Sequence, residues 1–496
     1  MYRLLAIAAL LFLAQGALAR DYNWPLWVTT QAEIDALPAD ADAVAFQPDD
    51  ESAKYDFSRL KDLRTVHTCR TGIRWFASAT GVTKLVILDD DIDDELSALK
   101  GWTRLEELEV LRGPLGAGLE SLKGCKRLRA IDAPLDDRGA EKLKLFPALE
   151  WVTSNGTELG SVGVKRLAEA VSIRHLVLRA DMLLPSSLVA LAAMPKLETL
   201  DLTSADDFDA PMVEQLAGIK GLKRFKLNGR VLDPGALKPL GGHKGIEEID
   251  LLWSKGCTEA DIEPLAACPM LRVLKLSINA GLIGDAILPF ATHARLETLG
   301  LRWAIASRAD EAVSGLKCPA LRELDITGLR LDPETVAGLA DLPSLKVLHL
   351  GAGNMAEAHL KRALKLETLE GLEVTTLTAG EETWQGLLQV KTLEWLEVDC
   401  AMPAAIVSRL HELSELRHLR MFPEHNLSPE EWASLTTIGK LEWLHAGGPN
   451  LTDEVMRAMV EKHPGITFYF GGAPKLTDWL PLQKEYPHSE LVGTDG

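Results

Sequence analysis

The pattern apolar-x-x-apolar-x-apolar recurs along most of the chain. Clear copies are Leu105-x-x-Leu108-x-Val110, Leu197-x-x-Leu200-x-Leu202, Leu271-x-x-Leu274-x-Leu276 and Leu345-x-x-Leu348-x-Leu350. Others start at Val82, Leu128, Leu149, Ile173, Leu222, Ile246, Leu296, Leu321, Leu369, Leu393, Leu416 and Leu441, with weaker ones at Ala41, Leu63 and Ile466. From Val82 to Leu441, successive starts lie 21 to 25 residues apart. A sustained period of that size signals stacked structural repeats. Within each copy the alternation predicts a short strand, with pattern residues pointing inward and the residues between them outward.

The second half of each repeat predicts a helix or a helical turn. Asp332-Pro333-Glu334 reads as an N-cap followed by proline at the first helical position. Ser428-Pro429-Glu430-Glu431 adds a glutamate three residues after the cap, the capping-box arrangement. Thr258-Glu259-Ala260-Asp261 and Thr452-Asp453-Glu454 begin in the same way. Apolar pairs such as Val336 and Leu339 then face inward. One strand plus one helix cannot close a core, so consecutive coils must stack to bury it.

These residues resemble the leucine-rich repeat superfamily, which uses an L-x-x-L-x-L strand and a period of 20–29 residues. The resemblance covers roughly residues 60 to 470. Coils near 24 residues with a helical segment resemble the ribonuclease-inhibitor-like horseshoe. That likeness implies an α/β solenoid with parallel strands on the concave face and helices or helical turns on the convex face. The asparagine that usually follows the strand is largely missing, Asn279 being the clear match. How each coil satisfies its turn is therefore open at this stage.

The expected organisation is a signal peptide over 1–19, an N-terminal cap with irregular coils over 20–62, and repeats over 63–470. About 17 coils of 19–25 residues fill the repeat region. Residues 471–496, with Trp479, Leu480 and Leu482, form a closing cap and tail; Trp24 and Trp27 mark the N-terminal one. Arg3, the apolar run Leu4–Ala14 and the small residues Ala17-Leu18-Ala19 predict a cleaved Sec-type leader. The mature protein is then periplasmic or secreted. The leader's apolar run is too short to span a bilayer, and no later stretch is long and apolar enough.

Composition changes this picture little. With 53 Lys and Arg against 72 Asp and Glu the net charge is −19, becoming −20 when cleavage removes Arg3. Such acidity disfavours nucleic acid or an anionic lipid surface and gives a mild bias toward basic partners. Six cysteines in 496 residues are too sparse for a disulfide-stapled scaffold.

Candidate chemistry lies on the outward strand positions. One column reads Asp201, Lys226, Asp250, Lys275, Gly300, Asp325, His349, Glu373, Glu397, Arg420, His445. Two readings stand: a self-neutralising sheet surface, or a charged recognition face. One step earlier the column reads Trp395, His418, Trp443, Phe468, with Glu397, Asp399, Arg420, Phe422 and His445 beside it. Exposed aromatics and arginine dominate interface hot spots, which makes Trp395, Glu397, Asp399, His418, Arg420, Phe422, Trp443 and His445 the candidate binding site. The opposing reading is that the C-terminal cap folds over these rings.

Other features read as structural. His243, Cys268, His293 and Cys318 share one slot in consecutive coils, but four ligands at about 4.8 Å per coil cannot close one metal tetrahedron. The slot also holds Trp102, Cys125 and His463, so core filling is the better reading. The acidic run Asp89, Asp90, Asp91, Asp93, Asp94, Glu95 lacks the EF-hand glycine and terminal glutamate. It fits a solvated loop ahead of a helix. His411-Glu412-Leu413-Ser414-Glu415 has glutamate where a zinc protease needs its second histidine. The expectation is a non-enzymatic scaffold without cofactor or metal that binds a protein or peptide. The alternative is a glycan or cell-wall fragment held by the C-terminal aromatics.

Overall fold

The computed structural model describes residues 27–494, apart from 157, 180–183, 204–209, 229–231, 252–255, 277–281, 422–426, 448–450 and 472–488. The leader, Trp24, Asn279, Phe422, Trp479, Leu480 and Leu482 lie outside these residues. The chain divides into two compact units, one spanning Trp24–Leu274 and the other running from Lys275 to Gly496.

Within each unit every coil contributes one strand to a parallel ladder. In the first unit, Lys84–Ile87 pairs with Glu107–Val110, that with Ala130–Asp132, and that with Trp151–Ser154. In the second, Glu323–Asp325, Val347–Gly351, Gly371–Thr375, Trp395–Asp399 and His418–Met421 follow in the same manner. The register keeps pattern leucines opposite one another. Leu324, Leu348, Leu372, Leu396, Leu419 and Leu444 form one row and are fully buried. Each such side chain contributes roughly 1.5–3 kcal/mol on burial, which is what locks the register.

The other half of each coil is helical, mixing short α segments with 3-10 turns. Pro333–Gly338 is α-helical with Asp332 as N-cap, and Val336 and Leu339 are buried beneath it. Ser428 and Glu431 close the expected capping box, and the Thr452 side chain accepts from Val455 N. At Thr258 the box partner is Asp261, which is itself completely buried. Asp261 also accepts from Gly235 N and Leu237 N, at 3.0 and 2.9 Å, in the preceding coil.

That contact shows how the coils manage with few strand-following asparagines. Carboxylates reach across to the backbone of the neighbouring coil instead. Asp93 accepts from Gly116 N, Asp137 from Gly160 N and Asp310 from Asp332 N, each within 3.0 Å. Asp89 and Asp93 of the acidic run are occupied in this way, Asp89 accepting from Arg70 N at 2.9 Å. Among the described residues, no group of three or more His, Cys, Asp or Glu is arranged to hold a metal ion.

The mixed Cys/His/Trp slot also has a physical meaning. Several of its occupants sit one coil beyond a helical turn and reach toward backbone carbonyls at its end, which the turn leaves unsatisfied. Trp102 Nε1 donates to Phe76 O at 3.1 Å, Cys268 Sγ to Leu240 O at 3.3 Å and Cys318 Sγ to Phe290 O at 3.0 Å. His243 Nε2 lies 3.2 Å from Ile219 O, and His463 Nε2 lies 3.1 Å from Thr436 O. The slot accepts donors that are also hydrophobic. All six cysteines are buried free thiols, and burial raises the Cys125 thiol to about 11.

One expectation fails. Phe468 does not belong to the outward column; it is fully buried and pairs with Leu444 in the inner row. Thr467 opposes Trp443, and Tyr469 opposes His445. Between Leu441 and the paired Leu444 lie two residues, but between Ile466 and Phe468 only one. Because side chains alternate with period two, that one-residue difference exchanges inside for outside. The final strand Glu490–Thr494 continues the parallel ladder beside Thr467–Gly471.

Candidate functional site

The outward column expected from the sequence is the one observed in the second unit. Asp325 opposes His349, His349 opposes Glu373, Glu373 opposes Glu397, and Glu397 opposes Arg420. These side chains do not form a loosely solvated ladder. His349 exposes 14% of its side chain and Glu373 only 7%, so the column is a charge cluster largely withdrawn from water.

The cluster is organised by Arg302, which follows the strand Thr298–Gly300. Its Nε donates to Asp325 Oδ2 at 2.7 Å. Its Nη2 donates to both Glu373 oxygens, at 2.7 and 2.6 Å, thereby reaching past the strands Glu323–Asp325 and Val347–Gly351. His349 Nδ1 lies 2.5 Å from Glu373 Oε2, and its Nε2 lies 3.3 Å from Glu323 Oε1. The second is a charge contact without hydrogen-bond alignment. Thr298 Oγ1 donates to Glu323 Oε2 at 3.3 Å.

Electrostatics follow from this wiring. Burial works against a charge on His349, but Glu323, Glu373 and the Asp325 charge outweigh it and raise its pKa to about 9. Burial alone would raise the Glu373 carboxyl, yet His349 and Arg302 hold it below its usual value. Glu397 goes the other way. Burial lifts it, Arg420 donates to it from 2.6 Å without fully compensating, and the Glu373 charge adds to the rise. Burial and nearby Arg420 push His445 down to about 4.

Beside the cluster lies a pocket of about 360 Å³. Val347, Gly371 and Trp395 occupy successive positions of one outward column and form its apolar part. Its polar lining is Glu323, His349, Glu370, Glu394, Arg417 and His418. The Trp395 ring is half-buried and tilted at 57° to His349, with centroids 5.4 Å apart. Gly371 lets these two side chains close over the strand: a Cβ there would meet Trp395 Cε3 and Val347 Cγ2 at 3.1 Å.

The candidate site residues are thus brought partly together. Trp395 and His418 line the pocket, while Glu397 and Arg420 belong to the charge cluster beside it. Trp443, His445 and Tyr469 form a second aromatic group, with Trp443–Tyr469 centroids 5.6 Å apart and Trp443–His445 centroids 6.0 Å apart. His418 stands 6.4 Å from Trp443 and joins the two groups. Asp399 is half-buried at the end of its strand, opposite Thr375. Sequence reasoning missed Arg302, Glu323, Glu370, Glu394 and Arg417, and left His349 and Glu373 in the outward column outside the candidate site. The signal was present for part of this: Asp325, His349 and Glu373 are consecutive, opposite in sign and one coil apart.

The inward leucine row, one strand per coil and the helical return segments define the chain as a leucine-rich repeat α/β solenoid. No family model matches the chain, and no curated protein matches it. Among solved structures it is similar to a plant peptide hormone receptor, RGFR1, in complex with RGF2. That match has 11% identity and a TM-score of 0.40, covering 95% of this chain and 69% of the receptor chain. It is also similar to TLR13 in a complex with ssRNA13, at 14% identity and a TM-score of 0.38. There the cover is 92% of this chain and 65% of the other.

Proposed function

We propose that the protein is an exported, non-enzymatic scaffold that binds a protein or peptide partner at the pocket beside Trp395. The observation that carries this is the half-buried indole standing over a strand glycine, between ordered charged groups. With no Cβ at Gly371, the Trp395 and Val347 side chains lie close against the strand. Indole and arginine side chains supply much of the energy at protein interfaces. The Arg302 cluster holds the pocket wall in place before a partner arrives, which lowers the ordering cost of binding. Export rests on the leader pattern of residues 1–19.

Partner capture from an extract, compared between the intact protein and a Trp395→Ala, Trp443→Ala double variant, tests the site. Loss of at least about 2 kcal/mol of affinity is expected, the scale of an interface hot spot. Unchanged capture by a folded double variant ends this assignment. A glycan reading draws on the Trp443–Tyr469 pair, two rings on neighbouring strands that offer a stacking surface. Binding of soluble cell-wall fragments that is lost with Trp443→Ala but retained with Trp395→Ala is the result that selects it.

A further inference from the structure

We infer that the pocket beside Trp395 receives an arginine side chain of the partner, its guanidinium lying against the indole and facing the Glu394 carboxylate. This rests on the peptide-binding reading above and assigns the chemistry of the group bound.

Val347 and Trp395 close over Gly371, where a Cβ would meet both side chains at 3.1 Å. The Trp395 indole is half-buried beside the pocket, so part of its surface remains available for stacking by a planar group. Cation–π attraction holds a cation over an indole face and strengthens when water is displaced.

Charge selects the kind of planar group. Each cation lining the pocket is already answered by an acid. Arg417 is paired with Glu442, and His349 is held between Glu373 and Glu323. Two of the three carboxylates are answered too, Glu370 by Lys346 and Glu323 by His349. Glu394 is exposed, and among the described residues it has no ion-pair partner. Glu394 therefore presents a carboxylate without an ion-pair partner next to the indole, on a chain of net charge −19. A guanidinium stacks on an aromatic face and pairs with a carboxylate in the same plane; a lysine ammonium is a more strongly hydrated point charge.

The test uses the full chain with two probes, acetyl-Gly-Arg-Gly amide and its citrulline counterpart, which keeps the planar shape and removes the charge. The readout is the Trp395 indole N–H resonance, assigned by its absence in Trp395→Phe. A saturable shift with the arginine peptide is expected, with the citrulline peptide at least about tenfold weaker. Glu394→Gln, a change at an exposed position, should weaken the arginine peptide roughly 3- to 10-fold and leave the citrulline peptide unchanged. Added salt should weaken only the arginine peptide. Equal affinity for the two peptides overturns the assignment, as do indifference to Glu394→Gln and a silent Trp395 resonance. A neutral sugar shifting Trp395 more strongly than the arginine peptide overturns it as well. Partner capture by the Trp395→Ala, Trp443→Ala variant remains a separate test of the site. A site that captures its partner through Trp395 yet ignores the arginine charge keeps the functional reading and loses this one.

Discussion

Trp151 and His175 in the first unit hold the same strand positions as Trp395 and His418 in the second. Both pairs stand in the outward column, yet their surroundings differ. His175 lies nearly flat against Trp151, with centroids 4.6 Å apart and planes tilted by 32°, and its Nδ1 meets Thr199 Oγ1 at 3.0 Å. The residue opposite Trp151 on the other side is Ala130. For Trp395 that residue is Gly371, and the indole turns toward His349 rather than His418. One Trp/His pair closes on itself; the other leaves a pocket. Burial and the Arg224 charge push His175 below its ordinary value, whereas acidic neighbours raise His349 to about 9. The side chains alone therefore do not specify a site. What lies under and beside them does.

The largest expected effect on this contrast comes from Arg302→Ala. It strips Asp325 and Glu373 of their shared cation while Glu373 remains buried. Breaking a buried pair in this way costs about 3–5 kcal/mol. The matched change beside the first pair, Arg224→Ala, removes one exposed hydrogen bond to Thr199 and should cost under about 1 kcal/mol. Urea unfolding of the two variants measures both, and similar losses would dissolve the distinction.

Next comes pH. His349 has a folded value near 9 against an ordinary 6.5, so its charged form is the stabilised one. Its contribution is complete below pH 6.5 and disappears as pH rises through 9. His175 is shifted downward, so its neutral form is favoured. Its contribution is present above 6.5 and lost as pH falls below that value. Imidazole resonances followed through a pH titration should show two well-separated transitions, one on each side of 6.5. Removing His349 as His349→Gln should flatten the alkaline fall in stability.

The smallest change is Gly371→Ala, which gives the second pair the floor that Ala130 gives the first. The new methyl group meets Trp395 and Val347 at 3.1 Å, so the ring must shift by a few tenths of an ångström. Stability should move by no more than about 1 kcal/mol, since the lost strain-free fit is offset by a less flexible unfolded chain. Partner capture should nevertheless fall, while Trp151→Ala leaves it intact. Strong capture by Gly371→Ala would show that the pocket floor is not where the partner sits.

Much of the fold was legible because the repeat states it many times. Leu345, Leu348 and Leu350 declare an inward face, and neighbouring coils repeat the declaration until register is fixed. The outward columns could be written down as lists. Phe468 escaped because one missing residue ahead of its strand reverses the alternation. The slot holding Trp102, Cys268 and His243 read as apolar filling, since only the folded coil shows the carbonyl each one reaches.

The candidate site divides along the same line. By itself the sequence determined that Trp395, His418 and Trp443 stand on one face, and that Asp325, His349 and Glu373 follow one another along it. Those are consequences of period, and period is local arithmetic. Only the tertiary structure decided that Arg302 would reach Glu373, 71 residues away, and fasten three strands into one charged wall. It also decided that Trp395 and Val347 would close over Gly371. Side-chain reach and the space between neighbours depend on rotamers and on burial. Those arise only when coils are stacked about 4.8 Å apart, with water excluded between them.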